Sequence, residues 1–324
     1  TEALKTVESG QTVVLQKDIS ESVIYSAAKK ENVTIDLNKH TWKNSSRSPA
    51  LMINANSPGT DFSTATTIKN GSFEADNQTS AAVLSSAGTL KVENVTFKNC
   101  ASQNAITVAA KGTLQLNNGV TFKNNTTSSA VVSATAGTTL TMDGVKFENN
   151  SGTKIVNVDG KAELTNCTFS GNTATSDASD AIVRIDMVAE SPSSVTDCNF
   201  SNNNAVNGAL HVTGTSSGST TTTISGCTFA GNTGKNGGAV YVGAVVNIQN
   251  CTFQENTAGY FGGAIMVSGS AADTNYEANI TNCTITNNKA TKSLTEPTGS
   301  GGGIFVQANG HVTIDDLTVI HSNT

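Results

Sequence analysis

Short runs in which apolar and polar side chains alternate fill this chain, and little of it shows the three-to-four spacing of a helix that buries one face. Alternation over three to five residues, bounded by Asn, Gly, Asp and Ser, predicts short strands joined by tight turns. One run recurs. It reads IKNGSF ending at Phe73, VENVTF at Phe97, LNNGVTF at Phe122, MDGVKF at Phe147, LTNCTF at Phe169, VTDCNF at Phe200, ISGCTF at Phe229, IQNCTF at Phe253 and ITNCTI at Ile285, with IDDLTV at Val319 a weaker tenth copy. The anchors stand 22 to 34 residues apart, so a short core repeat carries insertions in its later copies.

Three residues before the anchors come Asn70, Asn94, Gly119, Gly144, Asn166, Asp197, Gly226, Asn250 and Asn282, residue types that tolerate a left-handed backbone. A fixed corner explains that column, and the alternation that follows points each anchor inward. A second strand comes after most anchors. Its inward column is expected to run Val83, Ile106, Val131, Val156, Val183, Leu210, Val240, Ile265 and Ile304, and its outward column Leu84, Thr107, Val132, Asn157, Arg184, His211, Tyr241, Met266 and Phe305. An antiparallel sandwich gives no reason for side chains to recur in register. Short strands, fixed corners and one inward column per strand predict an all-β chain, a right-handed parallel β-helix of about 11 to 12 coils. Residues 1–60 keep the alternation but lack the phenylalanine phrase, and are expected to form an atypical cap with the first coils. Residues 61–324 are the repetitive body, and its last coil reads as truncated.

Composition narrows what such a body does. The charged fraction is 14%, against a typical quarter, and 19 basic residues face 25 acids for a net charge of −6. Without a basic block, nucleic acid is not an expected partner. No apolar run reaches the roughly 18 to 20 residues of a membrane-spanning helix. Asn125, Asn150, Asn172, Asn203, Asn232, Asn256 and Asn288 follow their anchors at the third place, where stacked amides can form a ladder. Cys167, Cys198, Cys227, Cys251 and Cys283 share one repeat position, and Cys100 sits where later copies carry the ladder asparagine. Stacked one strand spacing apart, they are expected to be buried free thiols, not disulfides. A linear inward stack does not converge four ligands on zinc, and no metal or cofactor is expected.

Gly237-Gly238-Ala239-Val240 and Gly262-Gly263-Ala264-Ile265 alternate with Phe-x-x-Asn at Phe122, Phe147, Phe169, Phe200, Phe229 and Phe253. This alternation, over roughly residues 65 to 320, resembles the repeats of chlamydial polymorphic outer membrane proteins. Earlier coils lose the Gly-Gly pair, and no carboxyl-terminal barrel is visible in the chain. The resemblance implies the surface-exposed passenger of an autotransporter-type adhesin, located at the cell surface or secreted and binding a host protein or glycan. The chain is accordingly expected not to be an enzyme.

The alternative, by analogy of fold, is a polysaccharide lyase or hydrolase, and a third reading is a passive stalk. The residues expected to bind a partner are His211, Tyr241, Met266 and Phe305, an exposed ridge framed or covered by the insertions 268–279 and 290–300. For the enzyme alternative the candidates are Asp159 and Asp186, expected on adjacent coils with Arg184 between charges.

Overall fold

The computed structural model describes residues 2–27, 30–44, 47–54, 65–76, 80–86, 88–109, 111–117, 119–175, 180–187, 191–214, 221–268, 276–291 and 301–324. Strands pair in parallel, each with the equivalent strand of the coil before and the coil after. Two compact units are present: residues 1–152 with 156–160, and residues 153–155 with 161–324.

The first unit opens on a short helix, Glu2–Thr6, that buries Leu4. Its core is a column of rings. Trp42 pairs with Phe73 and heads the stack that continues through Phe97, Phe122 and Phe147, so the amino-terminal coils have an anchor of their own outside the recurring run. Centroid separations fall from 5.7 to 5.3, 4.8 and 4.7 Å along it. The rings become nearly parallel as the separation approaches the strand spacing.

In the second unit each coil has four short strands. The anchor strands are Thr168–Ser170, Asn199–Ser201, Thr228–Ala230, Thr252–Gln254, Thr284–Thr286 and Val319–His321. Next come the side strands, Thr173–Ala174, Asn204–Ala205, Thr233–Asn236, Thr257–Phe261 and Lys289–Ala290, which form a separate five-stranded sheet. The front strands follow, Val183–Met187, Leu210–Gly214, Val240–Gly243, Ile265–Val267 and Ile304–Val306. Back strands such as Ser194–Thr196, Thr222–Ser225 and Val245–Gln249 close the coil. Phe169, Phe200, Phe229 and Phe253 stack inside at 4.7, 4.8 and 4.9 Å, all without solvent exposure.

The corners are as the repeat requires. All nine residues of the corner column have positive φ, from Asn70 at 59° to Asn282 at 50°. Past the anchors lies a second left-handed corner, at Asn124, Asn149, Asn202, Glu255 and Asn287 among others. The ladder follows it: Asn172, Asn203, Asn232, Asn256 and Asn288 are buried, and each donates its Nδ2 to the Oδ1 of the next at 2.9–3.0 Å, ending on Asn323. All six cysteines are free and buried. Burial pushes the Cys100 thiol up to about 12. The thiols of Cys167, Cys198, Cys227, Cys251 and Cys283 each donate to the carbonyl two residues earlier, at 3.2–3.3 Å.

Two registers differ from expectation. Ile106 pairs with Val132, not Val131; both valines are buried, so hydrophobicity did not distinguish them and the ladder places Ser133 in the outward column. In the last coil Ile285 pairs with Ile320, and Val319 stands beside Thr284 as an outward residue.

The Gly-Gly pairs belong to the corner between side and front strands. Gly237 and Gly262 have φ of +58° and +62°, and a Cβ on Gly238 or Gly263 would collide with the carbonyl oxygen of Gly263 or Gly302 on the next coil. The motif that carries the family resemblance is therefore a packing device.

Candidate functional site

Each front strand alternates strictly, because the coil interior takes every second side chain. The inward positions Val183, Leu210, Val240, Ile265 and Ile304 pair in sequence, which brings Arg184, His211, Tyr241, Met266 and Phe305 into one outward column. At one strand spacing per step the column is about 19 Å long. It is charged at one end and apolar at the other.

At the charged end Arg184 donates from Nε and Nη2 to the two carboxylate oxygens of Asp186, both at 2.9 Å, with both side chains partly open to solvent. Lys154 Nζ lies 4.0 Å from Oδ1 of Asp180, whose side chain is fully buried. His211 is next in the column, 7% exposed, and its ring meets that of Tyr241 edge-on at 4.6 Å. Its Nδ1 is buried without a hydrogen-bond partner in the described structure. Burial, and then the neighbouring Arg184, push His211 down to about 3, Lys154 acting in the same direction and Asp186 against it. The imidazole is therefore neutral at physiological pH and keeps a free polar atom.

At the apolar end Phe305 stacks on Phe261 at 4.5 Å, and Phe261 touches Tyr260 at 6.2 Å. Tyr241, Phe261 and Phe305 are half-exposed, while Met266 is 5% exposed. The expected ridge of four exposed residues is thus two half-exposed aromatics with His211 and Met266 sunk between larger neighbours. The insertions expected to flank it lie largely outside the described residues, at 269–275 and 292–300. Of the acidic candidates, Asp186 takes its place in the column's charged end, and Asp159 belongs to the first unit, where Asn157 donates to it at 3.0 Å.

Lys154, Asp180 and Phe261 escaped the sequence reading. A signal for Phe261 was present: Asn207, Asn236 and Phe261 each stand directly before the corner glycine of successive coils, and Asn236 pairs with Phe261. Asn236 Nδ2 donates to Asn207 Oδ1 at 3.4 Å, and the Asn207 amide to the Asp180 carbonyl at 2.8 Å, so this corner column runs alongside the front face. Among the described residues no group of three or more His, Cys, Asp and Glu is placed to hold a metal ion. No helix among them is long and apolar enough to cross a membrane.

Aromatic planes in line, a tethered carboxylate, two cations and a neutral imidazole are the groups that hold and polarise a hydroxyl-rich ligand. No curated protein matches the chain. Similar solved structures include a catalytic domain of a GH87 alpha-1,3-glucanase in complex with nigerose, 11% identical with a TM-score of 0.48, covering 95% of this chain and 64% of that one. The PL6 family alginate lyase AlyGC is 12% identical with a TM-score of 0.42, covering 100% of this chain and 52% of its own. A thermostable GH87 alpha-1,3-glucanase from Streptomyces thermodiastaticus strain HF3-3 is 12% identical with a TM-score of 0.40, covering 98% and 64%. The chain thus spans about two thirds of the glucanase catalytic domains and half of the lyase.

Against the expectation of a non-enzyme, these similar structures are of carbohydrate-cleaving enzymes. That expectation rests on the resemblance to an adhesin passenger, and the sequence displays no compact catalytic motif to set against it. On a solenoid the groups of one site come from different coils, dozens of residues apart, and short-range spacing does not display them. At these identities the likeness is one of fold. The family model of the right-handed β-helix region matches residues 80–279 and 208–324, and with its parallel strands, registered columns and stacked corners the chain belongs to the right-handed β-helix family.

Proposed function

We propose that this chain binds an extended polysaccharide along its front face and cleaves it, as a hydrolase or a lyase. The observation that carries the proposal is the registered column Arg184, His211, Tyr241, Met266, Phe305, with Phe261 stacked on its end. A sugar ring lays its C–H face on an aromatic plane, and the half-exposed Tyr241 and Phe305, two coils apart, offer two such planes. The charged end then supplies the chemistry. Removal of a proton beside a sugar carboxylate needs a neutral acceptor and a nearby cation, and His211 and Arg184 stand on adjacent coils. Hydrolysis needs carboxyl groups about the scissile bond, and Asp186, whose side chain is partly open to solvent on this face, is the candidate in this unit.

Attachment to a host-cell glycan is the binding half of the same reading. A surface or secreted location and kinship with the passengers of chlamydial polymorphic outer membrane proteins are part of the proposal, supported by the alternation of Gly-Gly-Ala with Phe-x-x-Asn.

The test is to incubate the full chain with α-1,3-glucan, alginate, polygalacturonate and host-type glycans, following new reducing ends and the ultraviolet absorbance of unsaturated products. Cleavage abolished by Asp186→Asn or His211→Gln, and binding weakened about tenfold or more by Tyr241→Ser with Phe305→Ser at little cost in Tm, is the expected result. Binding and cleavage of none of these polymers overturns it.

A further inference from the structure

A cleft lies on the side strands, and it holds a glycine, at the point where the strand register shifts, that neither backbone conformation nor crowding requires. The outward positions Thr173, Asn204, Thr233, Thr257 and Lys289 pair in sequence along this sheet. Two residues further along each strand, Gly259 stands above Lys235, with Thr291 following on the next coil. Here the sheet opens into a cleft of about 440 Å³ lined by Asn204, Thr233, Lys235, Gly259, Tyr260 and Thr291, among others.

Gly259 has no left-handed φ, and a Cβ built on it would meet nothing nearer than the Lys235 Cα at 3.7 Å, an ordinary contact. Its corner neighbours Gly262 and Gly263 cannot carry a side chain; Gly259 can. A glycine inside a strand weakens it and often marks a bulge or a close approach; here the register does shift, yet neither φ nor packing demands the glycine, and it leaves open space beside Lys235 and Tyr260. That space is bounded by chemistry of one kind. Lys235 is exposed, its Nζ lies 5.0 Å from the centre of the Tyr260 ring, and among the described residues it makes no ion pair. Among the described residues no acid lines the cleft, although the chain as a whole carries a net charge of −6. The lining otherwise offers the hydroxyls of Thr233 and Thr291 and the amide of Asn204.

We infer that this cleft is a subsite for a carboxylated sugar unit, its carboxylate on Lys235, its ring in the notch above Gly259 against Tyr260, and its hydroxyls on Asn204 and Thr233. A cation beside an aromatic ring with neutral hydrogen-bonding groups around it matches a uronate better than a neutral sugar, which leaves the ammonium unanswered, or an apolar ligand, which strands the hydroxyls. Tyr260 precedes Phe261, which stacks on Phe305 of the front face, so the cleft adjoins the front face through one line of rings. The inference rests on the glycan reading of the front face for the class of partner, and it narrows that class to acidic polysaccharides.

Calorimetric titration of the full chain with trigalacturonate and with its methyl ester tests it. The wild type should bind the acid about tenfold or more tightly than the ester, as a charge-assisted bond implies. Lys235→Gln should erase that preference, and Gly259→Val should weaken both ligands about tenfold with Tm held, while Lys289→Gln, on the same sheet outside the cleft, should change neither. A preference that survives Lys235→Gln, wild-type binding by Gly259→Val, or no binding of trigalacturonate by the wild type overturns the inference. Should Gly259→Val fail to fold, Lys235→Gln alone decides. Titrating the Tyr241→Ser, Phe305→Ser double variant in parallel separates the two sites. Lys235-dependent binding without polymer cleavage sinks the front-face reading alone, and cleavage with no Lys235-dependent preference sinks this one alone.

Discussion

Replacing Asn232 tests whether the amide ladder stabilises the coil or merely decorates it. Its side chain has no solvent exposure and serves two neighbours at once. Nδ2 donates to the Phe200 carbonyl at 2.8 Å and to Asn256 Oδ1 at 3.0 Å, while Oδ1 accepts from the Asn203 backbone N–H at 3.1 Å and from Asn203 Nδ2 at 2.9 Å. In Asn232→Ala, Asn256 Oδ1 keeps the Asn232 backbone donor, and Asn203 Nδ2 keeps the Phe169 carbonyl. The Asn203 N–H and one Asn203 Nδ2 hydrogen lose their partners, and the Phe200 carbonyl loses one of its two donors. At about 1–3 kcal/mol for each buried group stranded, with partial relaxation, the cost is roughly 3–5 kcal/mol.

Asn232→Asp is the sharper probe because it keeps the shape. Its second oxygen replaces a donor and faces two acceptors, so at pH 7 a buried charge stands against the Phe200 carbonyl and Asn256 Oδ1. The folded carboxyl is then held above its unfolded range, and the deficit relative to wild type shrinks as pH falls through that raised value, since the protonated acid can donate again. Urea unfolding followed by circular dichroism, at pH 7 and at pH 5, reads both effects, with the half-exposed Thr228→Ala as a control within about 0.5 kcal/mol of wild type. An Asn232→Asp protein within about 1 kcal/mol of wild type at pH 7, or a deficit that does not change with pH, would refute the reasoning.

Phe229→Ala removes a fully buried ring stacked at 4.8 and 4.9 Å on its neighbours, and is expected to cost about 3–5 kcal/mol by the same denaturation assay. His211 sits at about 3 in the folded chain against 6.5 in the unfolded one, so the unfolded chain binds the extra proton and stability falls as pH drops from about 6.5 toward 3. At pH 5 this amounts to roughly 2 kcal/mol relative to pH 7.5, and His211→Phe should remove that share of the slope in unfolding curves recorded across the range.

The fold was legible because a parallel coil repeats one environment once per turn, so the sequence repeats one residue type there. Phe at the anchor, a left-handed residue three places earlier and Asn three places later are each demanded by backbone or core geometry alone, and each can be read without knowing its neighbours in space. The outward column of the second unit followed from the same periodicity, since inward Val183, Leu210, Val240, Ile265 and Ile304 fix the side on which Arg184, His211, Tyr241, Met266 and Phe305 lie. Where two adjacent residues were equally apolar, as at Val131 and Val132, only the hydrogen-bond ladder could choose between them. Exposure was also beyond the sequence, because His211 and Met266 are covered by the larger side chains on the coils above and below. The same holds for the chemistry: Lys154 meets Asp180, Phe261 meets Phe305 and Lys235 meets Tyr260 across coil boundaries, at separations set by insertion lengths that carry no periodic signal. Strand pairing brings these groups together, and a notch such as that at Gly259 exists only once the neighbouring coils stand around it.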